Sequence, residues 1–469
     1  MRRIALFLSS LVLVAGSLPL YAQQVKADAH MKGAFRKPAQ NGWIFVHLEG
    51  TPFDMGFQHG YLLAPEIQDA EKVIVLEQTH EGKKDWKFFR DAAKDMMWPH
   101  IEPQYREELQ GLAEGLRAKG VDLDVWDVVA LNAFCEWDYY VKEYDRQHPA
   151  KTNASLALPE RCSAFVATGS YTKDGKVIIA HNDWTSYLDG ARWTIILDIA
   201  PATGMHILMD GFPGAIHSAD DFGINSAGIM ITETTISHFS GYDPKGIPEF
   251  VRARKAMQYA ASIDDFTRIM KEGNNGGYAN NWLVADRKTN EIASLELGLK
   301  NVTLLRKSDG YFVGSNFPAN PKLVKEETNF DVKDMANSAN ARHVRWEQLM
   351  AQYKGKIDVA AAQSFLADHY DTFEKKVDAD ERALCGHVDL SPRGSKPWQP
   401  PYGAAGAVQN KVADATMAER MSFTASAGHA CGLSFKAAEY LRKHSGFAWE
   451  TPLLRDMDAY PWTTFSIAP

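Results

Sequence analysis

RCSAFVATGSYTKDGKVIIAHNDW, residues 161–184, contains two apolar runs on either side of a Lys-Asp-Gly turn. This pattern is typical of a β-hairpin. The run KVIIA is apolar at every position after its lysine, and a strand of that kind is covered on both faces. Antiparallel sheets that are buried on both faces must be stacked on each other. The stretch therefore predicts an α+β fold in which stacked antiparallel sheets lie between helices.

The chain that follows continues the pattern of strands and turns. RWTIILDIA and GMHILMDG flank PATG and predict a second hairpin, and GIMITETTI predicts a fifth strand. PEFVRARKAMQYA and SIDDFTRIMKEG have the spacing of a helix pair. NNWLVADRKTNEIASLELGL and NVTLLRKSDGYFVGS predict two further hairpins. Ahead of all these, the apolar spacing of residues 61–141 predicts three or four helices.

The first 22 residues predict a secretory signal. Arg2 and Arg3 precede an apolar run of about a dozen residues, and Ala22 is a plausible cleavage residue. The run is shorter than the roughly 20 residues that a bilayer span needs. We therefore expect a secreted or periplasmic protein without an integral membrane span. The formal net charge of −8 argues against nucleic acid as a partner, because nucleic-acid binding requires a basic face.

The cysteines fall into three environments. Cys385 and Cys431 lie in glycine-flanked loops and are predicted to form a disulfide, whereas Cys135 lies in a helical apolar pattern and is predicted to be buried. His217, His387 and His429 have no close ligand partners at metal spacing, so no metal site is expected. Cys162, at the first position of a strand, fits neither description.

Cys162 follows a segment suited to cleavage. Residues 144–161 contain two prolines and small polar residues, which predicts an exposed loop of the kind where chains are cut. If the Arg161–Cys162 bond is broken, Cys162 gains an α-amine with a pKa of about 7.7–8.0. That amine can act as the base for the thiol of the same residue. The alternative reading is a structural, buried cysteine.

The sequence around Cys162 resembles that of the phospholipase B-like proteins and the related penicillin-side-chain acyltransferases. Both are groups of cysteine N-terminal-nucleophile hydrolases, with acid ceramidase and the cholylglycine hydrolases as looser relatives. Further segments that resemble the family follow in the same order along residues 43–465: HLEGTPFDMGFQHGYLLAPEI, FPGAIHSADDFGINSAGIMITETTI, YANNWLVAD with EIASLELGLKN, and LRDMDAYPWTTF. The resemblance implies the four-layer αββα sandwich of N-terminal-nucleophile enzymes. Together with the predicted signal peptide (1–22), it divides the chain into a helical fragment with a cleavable loop (23–161) and a catalytic fragment (162–469).

The resemblance also implies roles for individual residues. Cys162 matches the nucleophile and Asn280 the asparagine that donates to the oxyanion. His181 matches the His-Asn pair on the neighbouring strand, and Asp183 the carboxylate that contacts the terminal amine. Each of the last three has a structural alternative: an interior histidine for His181, a turn cap for Asp183 and a turn asparagine for Asn280.

Two further residues are expected at the substrate. Thr234 lies in the strand that would add a second oxyanion donor, and Trp184 follows the His-Asn-Asp run. His59 in GFQHG is a candidate general base. Its glycine-rich context favours instead a role in ordering the start of a helix. Glu136, Trp137 and Asp138 are candidates for the pocket wall.

These residues imply an autoproteolytic cysteine hydrolase or acyltransferase. It would act on linear N-acyl amides through a thioester, without a cofactor, and keep its own cleaved N-terminal fragment as a partner. Phospholipase B-like deacylation of lipid esters is one alternative. A non-enzymatic secreted binding protein with a degenerate site is another.

Overall fold

The structure is a computed structural model that describes residues 29–148, 162–219, 222–392 and 403–468. The predicted signal peptide, Arg161 and most of the predicted cleavable loop lie outside the described residues. No helix in the described ranges combines the length and the apolar composition needed to cross a bilayer.

The strands and helices have the following bounds. In chain order the strands are β1 (Phe35–Arg36), β2 (Ile44–Gly50), β3 (Ser163–Thr168), β4 (Ile178–Ser186), β5 (Ile195–Pro201), β6 (Ile207–Gly211), β7 (Gly223–Asn225), β8 (Ile229–Thr235), β9 (Asn280–Asp286), β10 (Glu291–Leu297), β11 (Val302–Lys307), β12 (Gly310–Gly314), β13 (Tyr370–Asp371), β14 (Lys376–Val377), β15 (Ala405–Asp414), β16 (Ser422–Ala427) and β17 (Thr463–Ser466). The helices are α1 (Pro52–Leu62), α2 (Ala64–His80), α3 (Trp86–Ala92), α4 (Pro103–Ala118), α5 (Val125–Asn132), α6 (Trp137–Gln147), α7 (Tyr187–Gly190), α8 (Glu249–Tyr259), α9 (Ile263–Lys271), α10 (Pro321–Glu327), α11 (Ser338–Gln352), α12 (Val359–Leu366), α13 (Ala415–Glu419) and α14 (Ala437–Lys443).

Two large sheets dominate the fold. The first has the strand order β1-β2-β5-β6-β7-β8-β9-β10-β11, and the second has the order β12-β3-β4-β15-β16-β17. Neighbouring strands in both sheets are antiparallel, except that β2 and β5 run parallel. The hairpin predicted around Cys162 is present as β3 and β4, in which Ser163 pairs with Asn182.

The sheets stack face to face and helices cover their outer faces. Side chains alternate along a strand, so Val166 and Ile179 enter the core between the sheets, where they join Met230 and Leu283. Phe165 points the other way, into the core beneath α11 and α12. The outer face of the first sheet packs against α1, α2, α4, α8 and α9. The predicted four-layer αββα arrangement is therefore confirmed.

Helices α1 and α4 approach each other closely because glycines line their contact. A Cβ atom on Gly56 would lie 1.8 Å from the carbonyl oxygen of Glu108, and one on Gly111 would lie 2.2 Å from that of Phe53. Gly56, the first glycine of GFQHG, thus permits backbone contact between two helices. Five helices, α2 to α6, begin between residues 61 and 141, so the prediction of three or four was too low. Short helices such as α3 and α5 are hard to separate by apolar spacing.

The hairpin predicted for NVTLLRKSDGYFVGS does not form. β11 pairs with β10 in the first sheet, whereas β12 pairs with β3 in the second. The turn between them looks like a hairpin turn locally, but the carboxylate of Asp309 accepts a hydrogen bond from the amide of Ser170 at 2.6 Å. The chain therefore crosses from one sheet to the other at this turn, and β12 becomes the edge strand beside β3.

Candidate active site

Cys162 immediately precedes β3, the strand that lies between β12 and β4 in the second sheet. The residue is completely buried. Its backbone φ of +74° is in the left-handed region, which costs a residue with a side chain about 1–2 kcal/mol. The burial and the unusual backbone both occur at the residue that the sequence predicts to become a new N-terminus.

The sulfur of Cys162 faces polar groups from both sheets. Its Sγ lies 3.6 Å from Oδ1 of Asp183 on β4 and 4.0 Å from Oε1 of Glu233 on β8. A ring nitrogen of His181 is within 4.8 Å of this sulfur and of a Glu233 carboxylate oxygen. Cys162 therefore belongs to a buried cluster of ionisable side chains between the sheets, with carboxylates able to accept the proton of the thiol.

Asn280 joins this cluster through Glu233. It is the first residue of β9, and its carboxamide nitrogen donates to Oε2 of Glu233 at 2.8 Å and to the carbonyl of Ala279 at 3.1 Å in the orientation that satisfies its neighbours. The hydroxyl of Tyr278 donates to Oε1 of Glu233 at 2.9 Å. Glu233 thus links Asn280 to the sulfur of Cys162.

A buried arginine fixes the start of β3. Arg342 of α11 donates from Nη1 to the carbonyl of Cys162 at 2.5 Å and to Oγ of Ser163 at 3.0 Å, and from Nη2 to Oδ1 of Asn316 at 2.9 Å. Its guanidinium lies 4.3 Å from the centre of the Trp184 ring. Arg342 therefore holds the backbone on the C-terminal side of the predicted cleavage point.

Replacing Arg342 by alanine is expected to lower the free energy of unfolding by about 3 kcal/mol or more, because three buried acceptors lose a charged donor. Urea denaturation of the full chain measures this loss. The matched control is the exposed Arg420, where alanine is expected to change stability by less than about 0.5 kcal/mol. Equal stability of the two variants would contradict the positioning role of Arg342.

Asn182 and Trp184 lie on the face of β4 opposite to His181 and Asp183, since side chains alternate. Asn182 donates to the carbonyl of Leu384 at 2.9 Å and accepts from Nε1 of Trp184 at 2.5 Å. The structure therefore places Trp184 behind the strand, away from Asp183. Its predicted contact with substrate stays a prediction.

Thr234 neighbours Glu233 on β8 and packs against Gly314 of β12. Its hydroxyl is buried without a hydrogen-bond partner among the described residues. On β15, Gln409 lies opposite Asp183, and both polar atoms of its carboxamide are likewise buried without a partner in the described part of the chain. Gln409 therefore adds a carboxamide with unused hydrogen-bonding capacity beside Asp183.

A buried ion pair joins the two sheets next to this cluster. Lys411 on β15 lies opposite His181 on β4. Its ammonium is 3.0 Å from Oδ2 of Asp210 on β6. Both side chains are fully buried. The interior between the sheets is therefore polar at the Cys162 end and apolar around Val166.

His59 and Glu136 support the surroundings. Burial, with the charge of Arg254 nearby, lowers the pKa of His59 to about 4, and its neutral ring accepts from the amide of Gly214 at 3.2 Å. Glu136 accepts from the amide of Glu249 at 2.8 Å and from Asn275 at 2.6 Å. Burial raises the pKa of Glu136. His59 thus contacts the loop at Gly214, and Glu136 contacts the start of α8 and the loop at Asn275.

Residues 71–462 match the family model described as Phospholipase B. The chain belongs to the phospholipase B family. Phospholipase B-like 1 of Homo sapiens is 22% identical over 80% of this chain and 74% of its own length. Putative phospholipase B-like 2 of Mus musculus is 26% identical over 59% of this chain and 54% of its own length, and an uncharacterized protein of Archaeoglobus fulgidus is 26% identical over 54% and 42%.

The matches to the archaeal and mouse relatives thus span about half of those proteins or less. Among solved structures, a variant of conjugated bile acid hydrolase from Clostridium perfringens is similar over 58% of this chain and 84% of its own, at 11% identity and a TM-score of 0.28.

Within this family member, sequence reasoning missed Glu233, Arg342, Gln409 and Lys411. Glu233 had a detectable signal, because a carboxylate interrupts the otherwise apolar and hydroxylated run GIMITETTI. Arg342 had none, since its helix is distant from Cys162 along the chain.

The predicted disulfide partners of this phospholipase B family chain, Cys385 and Cys431, meet in the structure as free cysteines. The disulfide therefore stays a prediction. Cys135 is buried, as predicted, and its thiol donates to the carbonyl of Ala219 at 3.6 Å.

Proposed function

We propose that the chain is an acyl hydrolase whose nucleophile is the thiol of Cys162, released by self-cleavage after Arg161. One observation carries the proposal: the sulfur of Cys162 lies in one buried cluster with Asp183, Glu233 and His181, and Glu233 holds Asn280. The predicted signal at 1–22 assigns the mature protein to a secreted or periplasmic location.

Self-cleavage begins when the thiol gives up its proton to a carboxylate, for which Asp183 is placed at 3.6 Å. The sulfur attacks the carbonyl carbon of Arg161, a carbon–sulfur bond forms, and the peptide nitrogen of Cys162 takes a proton as its bond to that carbon breaks. Water then hydrolyses the thioester, which leaves a carboxylate on Arg161 and an α-ammonium on Cys162. The left-handed φ of Cys162 favours cleavage, because strain at that residue is relieved when the bond breaks.

In the mature enzyme, the α-amine of Cys162 takes the proton of its own thiol. The thiolate attacks the acyl carbonyl, and the carboxamide of Asn280 donates to the oxyanion. The α-ammonium protonates the leaving group as its bond breaks. Water hydrolyses the resulting thioester and returns the proton to the amine. Asp183 stabilises the ammonium form by its charge.

The proposed substrates are linear N-acyl amides. The second candidate, deacylation of lipid esters, is favoured by the family description Phospholipase B and by the names of the relatives from human and mouse. Both reactions use the same thioester, so they differ only in the leaving group.

The substrate class is tested with one acyl chain on three leaving groups: an N-acyl glycine, a lysophosphatidylcholine and a diacylphosphatidylcholine. We expect the processed enzyme to release fatty acid from the amide at least about tenfold faster than from either ester. The control is an enzyme alkylated at Cys162. Release from esters alone would replace amide hydrolysis by lipid deacylation, and no release from any substrate would favour a binding protein.

A further inference from the structure

Four potential metal ligands converge at a second place in the fold. They are His369 after α12, Cys385 and His387 in the following loop, and Cys431 after β16. One ligand atom from each lies within 4.8 Å of all the others. The group lies apart from the Cys162 cluster, and the proposed reaction does not use it.

The distances fit a tetrahedral ion. Nε2 of His369 is 3.2 Å from Nε2 of His387, and Sγ of Cys431 is 3.4 Å from Nε2 of His387. Zinc–nitrogen bonds of about 2.0–2.1 Å and zinc–sulfur bonds of about 2.3 Å place nitrogens roughly 3.4 Å apart and nitrogen and sulfur roughly 3.6 Å apart in a tetrahedron. These two distances fit such a site, and the sulfur of Cys385 lies within 4.8 Å of the other three atoms.

The backbone turns sharply directly after both cysteines. Each cysteine precedes a glycine in the left-handed region, Gly386 at φ +63° and Gly432 at φ +89°, and these turns fold the chain around the sulfur atoms.

Further side chains surround His387. The ring of His387 stacks on that of His429 at 4.1 Å, and a ring nitrogen of His387 lies within 4.8 Å of a carboxylate oxygen of Asp389. That carboxylate accepts from the hydroxyl of Tyr187 at 2.8 Å.

We propose that His369, Cys385, His387 and Cys431 bind one structural Zn²⁺. Two thiolates and two imidazoles in a tetrahedron select zinc, and four protein ligands leave no open position for catalysis. Local ligand spacing could not predict this site, because His369 and His387 are 18 residues apart and His387 and Cys431 are 44 apart.

The ion would stabilise the loop that packs behind the candidate active site. Leu384, next to Cys385, accepts from Asn182, and Gly386 packs directly against the ring of Trp184. Zinc would therefore fix the loop that supports the outer face of β4, whose other face carries His181 and Asp183. The proposal does not depend on the proposed activity.

The first test is the metal content of the full-length protein, purified without chelator and measured by elemental mass spectrometry. We expect about one zinc per chain. After denaturation in chelator without reductant, Cys385 and Cys431 should both be alkylated. A metal-free protein in which these two cysteines are joined in one disulfide-linked peptide pair would overturn the proposal in favour of the disulfide.

The second test uses H369A and H387A, with H100A as the control, because His100 lies ahead of α4 and outside the cluster. We expect both cluster variants to lose zinc and H100A to retain it. Chelator should lower the Tm of the wild-type protein and of H100A but not that of the cluster variants. If the variants fail to fold, the wild-type protein is reconstituted with Co²⁺ and its absorption spectrum is measured. The absorption bands of tetrahedral cobalt with thiolate ligands would support the site, and their absence would overturn it.

Discussion

Replacing Cys162 by alanine is expected to leave the chain in one piece and to abolish acyl hydrolysis. The wild-type protein should run as two bands on a denaturing gel, with a new amino terminus at Cys162, because self-cleavage needs the sulfur beside Asp183 and Glu233. The alanine chain lacks this nucleophile and never forms the α-amine. Gel electrophoresis and amino-terminal sequencing of the purified protein measure the first effect, and release of fatty acid measures the second.

Two further variants are compared with C162A. C135A removes another buried thiol and is expected to split normally. C162S keeps a weaker nucleophile and is expected to split more slowly than the wild-type chain. Cleavage of the C162A chain between Arg161 and residue 162 would contradict self-cleavage, since a second protease would then have to make the cut. An uncut wild-type protein with full activity would contradict the role of the α-amine.

Residues 161–184 predicted the central hairpin and the stacked sheets because the information needed was local. Burial on both faces is visible in KVIIA, and β4 is buried along nearly its whole length. The helix pair α8 and α9 was also predictable, since both helices carry an apolar stripe. These features depend on residues that are near one another in sequence.

The remaining features depend on contacts between distant segments. The chain around Asp309 resembles a hairpin turn, but its flanking strands pair with β10 and β3 in different sheets. Arg342 reaches the carbonyl of Cys162 across 180 residues. The ligands of the proposed zinc site come from three separate segments. Pairing partners of this kind are set by packing, and no spacing rule within one segment predicts them.

Replacing Asn280 by alanine is expected to lower kcat of the processed enzyme by about 10²- to 10³-fold, because one oxyanion donor contributes roughly 3–4 kcal/mol to the transition state. KM should change little, since the donor acts on a charge that develops only during the reaction. Steady-state kinetics on the N-acyl glycine measure the two constants. N281A is the matched control on the same strand, because Asn281 accepts from Ser294 at 2.7 Å and has no proposed role in the reaction.

The variant must also be separated from a defect in processing. In the uncut chain Asn280 donates to Glu233, so alanine removes one donor from a buried carboxylate that still accepts from Tyr278. We therefore expect the N280A chain to fold and to split, but with a lowered Tm. Its kinetics are measured on the split fraction, after the amount of free Cys162 terminus has been determined. A split N280A enzyme with wild-type kcat would show that the oxyanion is stabilised elsewhere, and the buried carboxamide of Gln409 beside Asp183 would then be the first replacement to examine.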